Sequence, residues 1–352
     1  SAEATADGKG AVFTSLSPTG TLRYTVPCRR GGFSDVVARF GNGPDFRPLA
    51  GGGPQIATPD GPVSAADSDP RLVRTVLQRD RLTARWRFDC GGVTGEYEVS
   101  YQLRGRTLIV DVSCPSGVAE GLSLGEVRDL PDAKGIEIPY LVFDRPPSPR
   151  VALGAGLFTS VLVDWYHSNC SVLNTTRAAS EPINGGLPIN GGTTYTPLTN
   201  GRRNDLVDRV LVTVSPHIED TFPTIATPRS ERIETLAPSL FVMSSHFTPK
   251  YYRTLRRYGL DSVIAMHFAG LWWRRTGEGF AMRWRPRPEL SEQDVSQYRA
   301  DIKSLGYEWG MLVNYTCYFP LNEYWDENLC ALDPLGRLAD GWYGHYDTKP
   351  NA

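Results

Sequence analysis

Short apolar runs alternate with helical patterns between residues 238 and 314, and this alternation constrains the possible folds more than any other feature of the sequence. The apolar runs and the helical patterns follow one another as residues 238–247, 248–260, 262–268, 291–305 and 309–314. Such alternation is typical of βαβ units, whose strands lie parallel and are buried on both faces. In sheets and barrels of this kind, functional residues gather where the strands end.

The pattern of residues 291–305 predicts a helix with clear ends. Ser291 is suited to cap the first turn, and Gly306 is suited to end the last one. Glu292 and Asp294 place carboxylates in the first turn, where they interact favourably with the helix dipole. Apolar side chains recur at helical spacing and are expected to pack on the sheet, at Val295, Tyr298, Ile302 and Leu305.

Residues 1 to about 232 have the character of an all-β domain. Seven runs rich in β-branched and aromatic residues predict strands, at residues 22–26, 82–88, 95–103, 107–113, 136–142, 157–165 and 209–214. Alternation within 95–103 places Tyr97, Val99, Tyr101 and Leu103 on one face, and the turn at residues 104–106 predicts a hairpin. Many such strands separated by Gly and Pro turns favour a large sandwich.

Two segments of this region are expected to be loops. Residues 41–70 are rich in Gly, Pro, Asp and Ala, and residues 178–206 contain Asn-Gly pairs, which are strong turn signals. A third segment, residues 221–236, combines two prolines with small residues and has the composition of a linker. We therefore predict two domains, a β-sandwich at residues 1–232 and an α/β region at residues 233–352.

Composition and motifs exclude several classes of function. A formal net charge of -2 without a Lys/Arg-rich tract argues against a nucleic-acid partner. The longest apolar stretch, residues 151–165, is too short and polar to cross a membrane. The six cysteines lack zinc-site spacing, so we predict no metal. No phosphate-binding loop, dinucleotide fingerprint or nucleophile elbow is present, so we predict no cofactor.

The chain begins at Ser1 with a small, polar segment, which is expected of a chain trimmed after a signal peptide. This observation favours a secreted or periplasmic protein.

Two stretches of the first region resemble the galactose-mutarotase-like β-supersandwich that precedes the catalytic barrel in several glycoside hydrolase families. They are residues 95–112 and 157–166. Residues 255–268 and 302–315 are similar to the opening of a (β/α)8 barrel of the α-galactosidase and endo-α-N-acetylgalactosaminidase type. The resemblance implies a supersandwich followed by the first three βα units of a TIM barrel, in an enzyme that hydrolyses poly- or oligosaccharides.

A (β/α)8 barrel takes roughly 250 residues, and the second region supplies only three strand-like runs. We therefore expect a second polypeptide, or a C-terminal part beyond this chain, to complete the barrel. In the resembling families the nucleophile follows the fourth strand and the acid/base lies on a later one, so both are expected beyond Ala352. Retaining hydrolysis needs two carboxyl groups about 5 Å apart. Within this chain Asp326 and Asp347, and more weakly Glu323, are the candidates for these roles.

Aromatic and polar residues near the predicted strand ends indicate a carbohydrate site. Six of the eight tryptophans follow residue 270, and sugar rings stack on aromatic faces beside polar groups that hold their hydroxyls. Trp309 adjoins a strand run and is expected in the core instead. The predicted substrate-binding residues are His246, His267, Trp272, Trp273, Asn314, Tyr315, Trp325, Tyr346 and Lys349.

Two alternatives remain open at this stage. The chain could be a carbohydrate-binding protein without catalytic activity, which the missing barrel strands would explain. It could also be a mutarotase-like sugar epimerase that uses a histidine and a carboxylate of the sandwich. Against the epimerase, His167 and His217 are the only histidines of that region, and neither has an obvious partner in the sequence.

Overall fold

The structure is a computed structural model that describes most of the chain and divides into two compact units. The described residues are 1–31, 33, 35–138, 148–174, 178–198, 200–222, 230–244, 248–267, 290–311, 326–330, 332 and 335–338. The first unit comprises Ser1–Pro197 and Gly201–Thr224, and the second comprises Leu198–Asn200 and Ile225–Ala352. The functional domains proposed for residues 1–232 and 233–352 stay predictions.

Strands dominate the described part of the first unit. The first ten are β1 (Ala2–Ala4), β2 (Ala11–Ser17), β3 (Gly20–Val26), β4 (Val37–Phe40), β5 (Arg47–Ala50), β6 (Gly53–Thr58), β7 (Gly61–Ser64), β8 (Arg71–Gln78), β9 (Arg81–Cys90) and β10 (Val93–Arg104). The next ten are β11 (Thr107–Cys114), β12 (Ala119–Ser123), β13 (Glu126–Arg128), β14 (Lys134–Glu137), β15 (Arg150–Gly154), β16 (Leu157–Val163), β17 (Val172–Asn174), β18 (Gly186–Leu187), β19 (Gly192–Thr194) and β20 (Leu206–Ser215).

These strands form four antiparallel sheets around a shared core. The largest sheet has eight strands in the order β14-β15-β16-β20-β11-β10-β9-β8. The others have the orders β1-β2-β3-β4, β17-β19-β12-β6-β7 and β18-β13-β5. One apolar cluster takes side chains from all four, for example Val110 from the largest and Phe13, Ile56 and Leu49 from the others. The first unit is therefore a domain of sandwich type, as the sequence predicted.

The hairpin of β10 and β11 shows how the sequence produces the largest sheet. Tyr97, Val99 and Tyr101 alternate along β10 and are all buried, because successive side chains of a strand point to opposite faces. Arg104 pairs with Thr107, and Gly105 between them adopts a φ of +57° that favours glycine. The predicted hairpin is confirmed.

Other sequence expectations for the first unit were wrong in detail. Residues 41–70 contain β5, β6 and β7 and a short 3-10 helix, and residues 178–206 contain β18 and β19. Buried Leu49 and Ile56 lie between glycines and prolines, which hid the strands in which they occur. The strand predicted at 157–165 ends at Val163, because Asp164 caps a 3-10 helix over Trp165–His167.

The second unit alternates helices and strands in the described residues. In chain order they are α1 (Glu231–Leu236), β21 (Leu240–Ser244), α2 (Pro249–Arg257), β22 (Val263–His267), α3 (Glu292–Ser304) and β23 (Glu308–Met311). The three strands are parallel and lie in the order β21-β22-β23. The parallel arrangement predicted from the alternating pattern is confirmed.

Local sequence fixes the ends of α3. The Ser291 hydroxyl accepts a hydrogen bond from the backbone N–H of Asp294 at 3.1 Å, while the Asp294 carboxylate accepts one from the N–H of Ser291 at 2.8 Å. This reciprocal cap satisfies two backbone donors. Gly306 follows the helix with a φ of +78°. None of the helices in the described residues has the length and apolar composition of a membrane span.

Candidate active site

The carboxyl ends of the three parallel strands define the candidate site. Ser244, at the end of β21, pairs with His267 at the end of β22, and His267 pairs with Met311 at the end of β23. The last residues of all three strands therefore lie side by side at one edge of the sheet. In parallel α/β sheets and barrels, ligands bind at this edge.

The sequence places most of its candidate residues in the segments that follow these strands. The backbone of His267 lies on the edge itself, which is where the sequence prediction put it. The remaining substrate-binding candidates lie outside the described residues, namely His246, Trp272, Trp273, Asn314, Tyr315, Trp325, Tyr346 and Lys349. The candidate carboxylates Glu323 and Asp347 lie outside them as well. Their assignment to the site stays a prediction.

Asp326 is the candidate acid whose surroundings the structure describes. It is exposed and precedes a short 3-10 helix at Glu327–Leu329. Its Oδ1 accepts hydrogen bonds from the backbone N–H of Asn328 at 2.9 Å and from the Asn328 side-chain amide at 3.0 Å. The carboxylate therefore caps this helix, and a catalytic role for it remains a prediction.

The two faces of the parallel sheet have different surroundings. On one face, Val242, Val263 and Ala265 pack with the buried Tyr252 of α2 and Tyr298 of α3. Side chains on the other face alternate with these. Of these, Phe241 is 59% exposed and Met243 is 48% exposed. Ile264 of β22, which pairs with Phe241 on the same face, is only 5% exposed. This face is therefore covered at β22 and exposed at β21, whereas strands of parallel sheets are ordinarily buried on both faces.

Trp309 belongs to the core of the second unit, as the sequence predicted. It packs against the apolar cluster between the helices and the sheet. The Arg299 guanidinium lies 5.9 Å from the centre of its ring, within the range of a cation–π contact. This tryptophan therefore stabilises the sheet from the helix side.

Comparisons with known proteins bear on the fold. The chain matches the ligand-free α-N-acetylgalactosaminidase NagBb from Bifidobacterium bifidum with a TM-score of 0.53 and 12% sequence identity, over 89% of this chain and 61% of that one. It matches the same enzyme in complex with Gal-NHAc-DNJ with a TM-score of 0.52, over 89% and 60% of the two chains. The chain therefore shares the fold of the matching part of this enzyme. It spans about six tenths of the length of these enzymes.

Other comparisons add little. A glycoside hydrolase family 97 enzyme from Pseudoalteromonas sp. strain K8, in complex with acarbose, matches with a TM-score of 0.35 and 10% identity over 88% of this chain and 53% of that one, too weakly to support an argument. No protein-family model matches the sequence, and no curated protein matches it. The similarity to NagBb, at 12% identity, shows the fold alone.

The first unit contains a histidine–carboxylate pair that was not evident from the sequence. His167, which had no obvious partner in the sequence, has its Nδ1 2.7 Å from Asp164 Oδ2. The spacing of three residues was the available signal, because Asp164 begins the 3-10 helix that carries His167. The pair brings a carboxylate and an imidazole into contact at the surface of the sandwich.

The first unit also contains a buried carboxylate that was not evident from the sequence. Asp208 is 1% exposed and accepts hydrogen bonds from the hydroxyls of Ser168 and Thr193, the latter at 2.6 Å. Burial raises the pKa of Asp208 above its ordinary value, against the effect of these hydrogen bonds. Asp208 occupies a core-facing position of β20 between Leu206 and Val210, where the alternation predicts an apolar residue.

Proposed function

We propose that this chain is part of a glycoside hydrolase that cleaves poly- or oligosaccharides. The observation that carries the proposal is the fold shared with an α-N-acetylgalactosaminidase over 89% of the chain. In this proposal the first unit is the supersandwich of the resembling families. The second supplies the first three βα units of a (β/α)8 barrel, and the substrate lies at the carboxyl ends of β21, β22 and β23.

The exposed apolar side chains of β21 support the need for further barrel strands. On β21, the exposed Phe241 and Met243 flank Val242, which packs against the apolar cluster on the helix side of the sheet. In a closed barrel, the face opposite the helices is filled by side chains of the other strands. A C-terminal continuation or a second polypeptide that supplies those strands would bury these two residues.

The proposed reaction is retaining hydrolysis by two carboxyl groups about 5 Å apart, one as nucleophile and one as proton donor. Both are expected on the completing strands, and Asp326, Asp347 and Glu323 are the candidates within this chain. The reaction needs no cofactor. His267 and the aromatic residues after each strand would hold the sugar hydroxyls and rings. Action on extracellular saccharides agrees with the proposed secreted or periplasmic location.

Saccharide binding by the chain tests this proposal residue by residue. Calorimetric titration with N-acetylgalactosamine, galactose, glucose and their oligosaccharides measures affinity for wild type and for His267→Ala and Trp272→Ala. Each variant is expected to lose at least about 1.4 kcal/mol of binding free energy, a tenfold weakening. His217→Ala, which changes an exposed histidine of the first unit, is the matched control.

The outcomes separate the alternatives. Equal affinity of wild type and both variants, for every saccharide that binds, would remove the strand-end site from the proposal. Binding without cleavage by the assembled protein would favour a carbohydrate-binding protein. Interconversion of sugar anomers without cleavage, followed by NMR, would favour the mutarotase-like epimerase.

A further inference from the structure

Two adjacent depressions lie on the outer face of the largest sheet in the first unit. One depression of about 280 Å³ is lined by Tyr166 and His167 and by outward-facing side chains of the sheet, including Asp111 and Arg209. A second depression, of about 330 Å³, includes Arg85 and Glu96 among its lining residues. The two share Glu98, Ser113 and Val207, so they are adjacent on the same face of the sheet. We call the two depressions together the sheet groove.

An exposed aromatic ring lies at one end of the sheet groove. Tyr166 is 71% exposed, and its ring centroid is 6.0 Å from that of Trp165 at an interplanar angle of 41°. An aromatic side chain this exposed gains little from folding, because its apolar area stays in water. It offers a flat surface on which the C–H face of a sugar ring can stack.

Hydrogen bonds fix the backbone that carries this ring. The N–H of Asp164 donates to the carbonyl of Arg209 at 2.8 Å, and the N–H of Asn169 donates to the carbonyl of Val207 at 3.0 Å. Between them, the Ser168 hydroxyl donates to the buried Asp208 carboxylate. Residues 164–169 are therefore attached to β20 at three points. A ring held in this way is preorganised for a ligand.

Several carboxylates of the groove are paired with guanidinium groups. Asp111 accepts from Arg209 Nε at 2.6 Å and also pairs with Arg81. Glu98 Oε2 lies 3.5 Å from Arg85 Nη2. Asp205, which accepts from the backbone N–H of Gly117, and the buried Asp208 also line the groove, so it presents many hydrogen-bonding groups with an excess of acceptors. Such a surface suits the hydroxyls of an uncharged ligand better than an anion.

His167 adds an oriented hydrogen-bonding group beside Tyr166. Its Nδ1 is engaged by Asp164 at 2.7 Å, which fixes the ring orientation. With Nδ1 donating to the carboxylate, Nε2 of a neutral imidazole is an acceptor for a ligand hydroxyl. The neighbouring Asn169 can both donate and accept.

We infer that the sheet groove is a second carbohydrate-binding site, which holds an uncharged oligosaccharide across β9, β10, β11 and β20. One sugar ring stacks on Tyr166, and the following rings lie along Glu98 and Ser113 toward Arg85. The volume of each depression is near the lower end of the range for small-ligand sites, about 300–1,000 Å³, which suits one or two sugar rings each. The choice of a saccharide as ligand rests on the proposed function.

The test is titration of the whole chain with uncharged oligosaccharides of N-acetylgalactosamine, galactose and glucose, two to six units long. Tyr166→Ala is expected to weaken binding of at least one oligosaccharide about tenfold. His167→Gln, which supplies a side-chain amide in place of the imidazole, is expected to weaken it less. Tyr258→Ala is the matched control, because this tyrosine is 81% exposed and lies at the end of α2. It is expected to leave affinity unchanged.

The experiment distinguishes the groove from the strand-end site. The inference is supported if Tyr166→Ala weakens a binding event that persists in His267→Ala. It is overturned if Tyr166→Ala binds every oligosaccharide as tightly as wild type, and in that case weaker binding by His267→Ala would leave the proposed function intact. If wild type binds none of the oligosaccharides, the groove inference is also overturned. The proposed function is then tested independently by measuring glycoside cleavage by the assembled protein.

Discussion

Replacement of Asp208 by alanine is expected to lower the free energy of unfolding of the sandwich unit by about 3 kcal/mol. The carboxylate is 1% exposed and holds the hydroxyls of Ser168 and Thr193. Two hydrogen bonds to a charged group contribute about 3–6 kcal/mol together. Part of that gain is offset by the cost of burying the carboxylate, the same cost that raises its pKa.

Asp208→Asn separates the hydrogen bonds from the charge. A hydroxyl can either donate or accept, so Ser168 and Thr193 can both bond to the amide. We expect the free energy of unfolding of this variant to be only about 1 kcal/mol below that of wild type at neutral pH, since it retains both hydrogen bonds and avoids the buried charge. Asp89→Ala, which removes an exposed aspartate from the solvent face of β9, is the control and is expected to change stability by less than about 0.5 kcal/mol.

The pH dependence of stability gives a second test with a definite sign. Because the folded-state pKa of Asp208 is raised above the ordinary value of 3.8, the folded state binds its proton more tightly than the unfolded state does. Its contribution to stability is therefore most favourable below that ordinary value. It declines as pH rises through the raised folded-state pKa. The Asn variant lacks this group, so the stability difference between wild type and Asp208→Asn should follow that decline.

The assay is urea denaturation followed by circular dichroism at the β-sheet signal, at several pH values between about 4 and 7. Equal stabilities for Asp208→Ala and Asp89→Ala at pH 7 would refute the account of the buried carboxylate. A difference between wild type and Asp208→Asn that does not change with pH would contradict the inferred pKa shift. Loss of oligosaccharide binding in Asp208→Ala, but not in Asp208→Asn or Asp89→Ala, would further show that Asp208 positions residues 164–169 beside the sheet groove.

Two further predictions concern the thiols and a helix cap. Burial raises the pKa of Cys28 and of Cys114 to about 12, so both should resist iodoacetamide at pH 8 in the folded chain, whereas the partly exposed Cys330 should react before them in peptide mass spectrometry. Alkylation of Cys28 and Cys114 at a higher rate than that of Cys330 would contradict their burial. Ser291→Ala should destabilise α3 by about 1 kcal/mol. Thr248 precedes α2 and its side chain makes no cap hydrogen bond, so Thr248→Ala should not destabilise α2 by a comparable amount. Hydrogen exchange of the two helices measures both changes, and equal effects would contradict the capping argument.

Regular periodicity made much of the fold predictable. The β10–β11 hairpin and helix α3 follow from alternation in one case and from helical spacing with a cap in the other. The short strands β5, β6 and β7 were not predictable, because their glycines and prolines have the composition of loops. Sheet pairing with distant segments, such as β6 with β12, supplies the stability that local propensity lacks.

The sites were less predictable than the fold. Sequence order sufficed to put His267 at the end of a parallel strand, since strand ends follow from the alternating pattern. The sheet groove could not be predicted, because Glu98, Asp111 and Arg209 meet only after three strands pair. Asp208 was hidden for a related reason, since its partners Ser168 and Thr193 belong to two other segments of the chain.

Glycoside cleavage by the native protein is the most direct test of the central claim. The protein is purified from its source with any associated polypeptide, measured by intact mass and gel filtration, and assayed on aryl glycosides and polysaccharides with NMR detection of the released anomer. We predict cleavage with retention of anomeric configuration by material that contains more polypeptide than these 352 residues. Material that contains the completing strands and neither binds nor cleaves any glycoside would contradict the account.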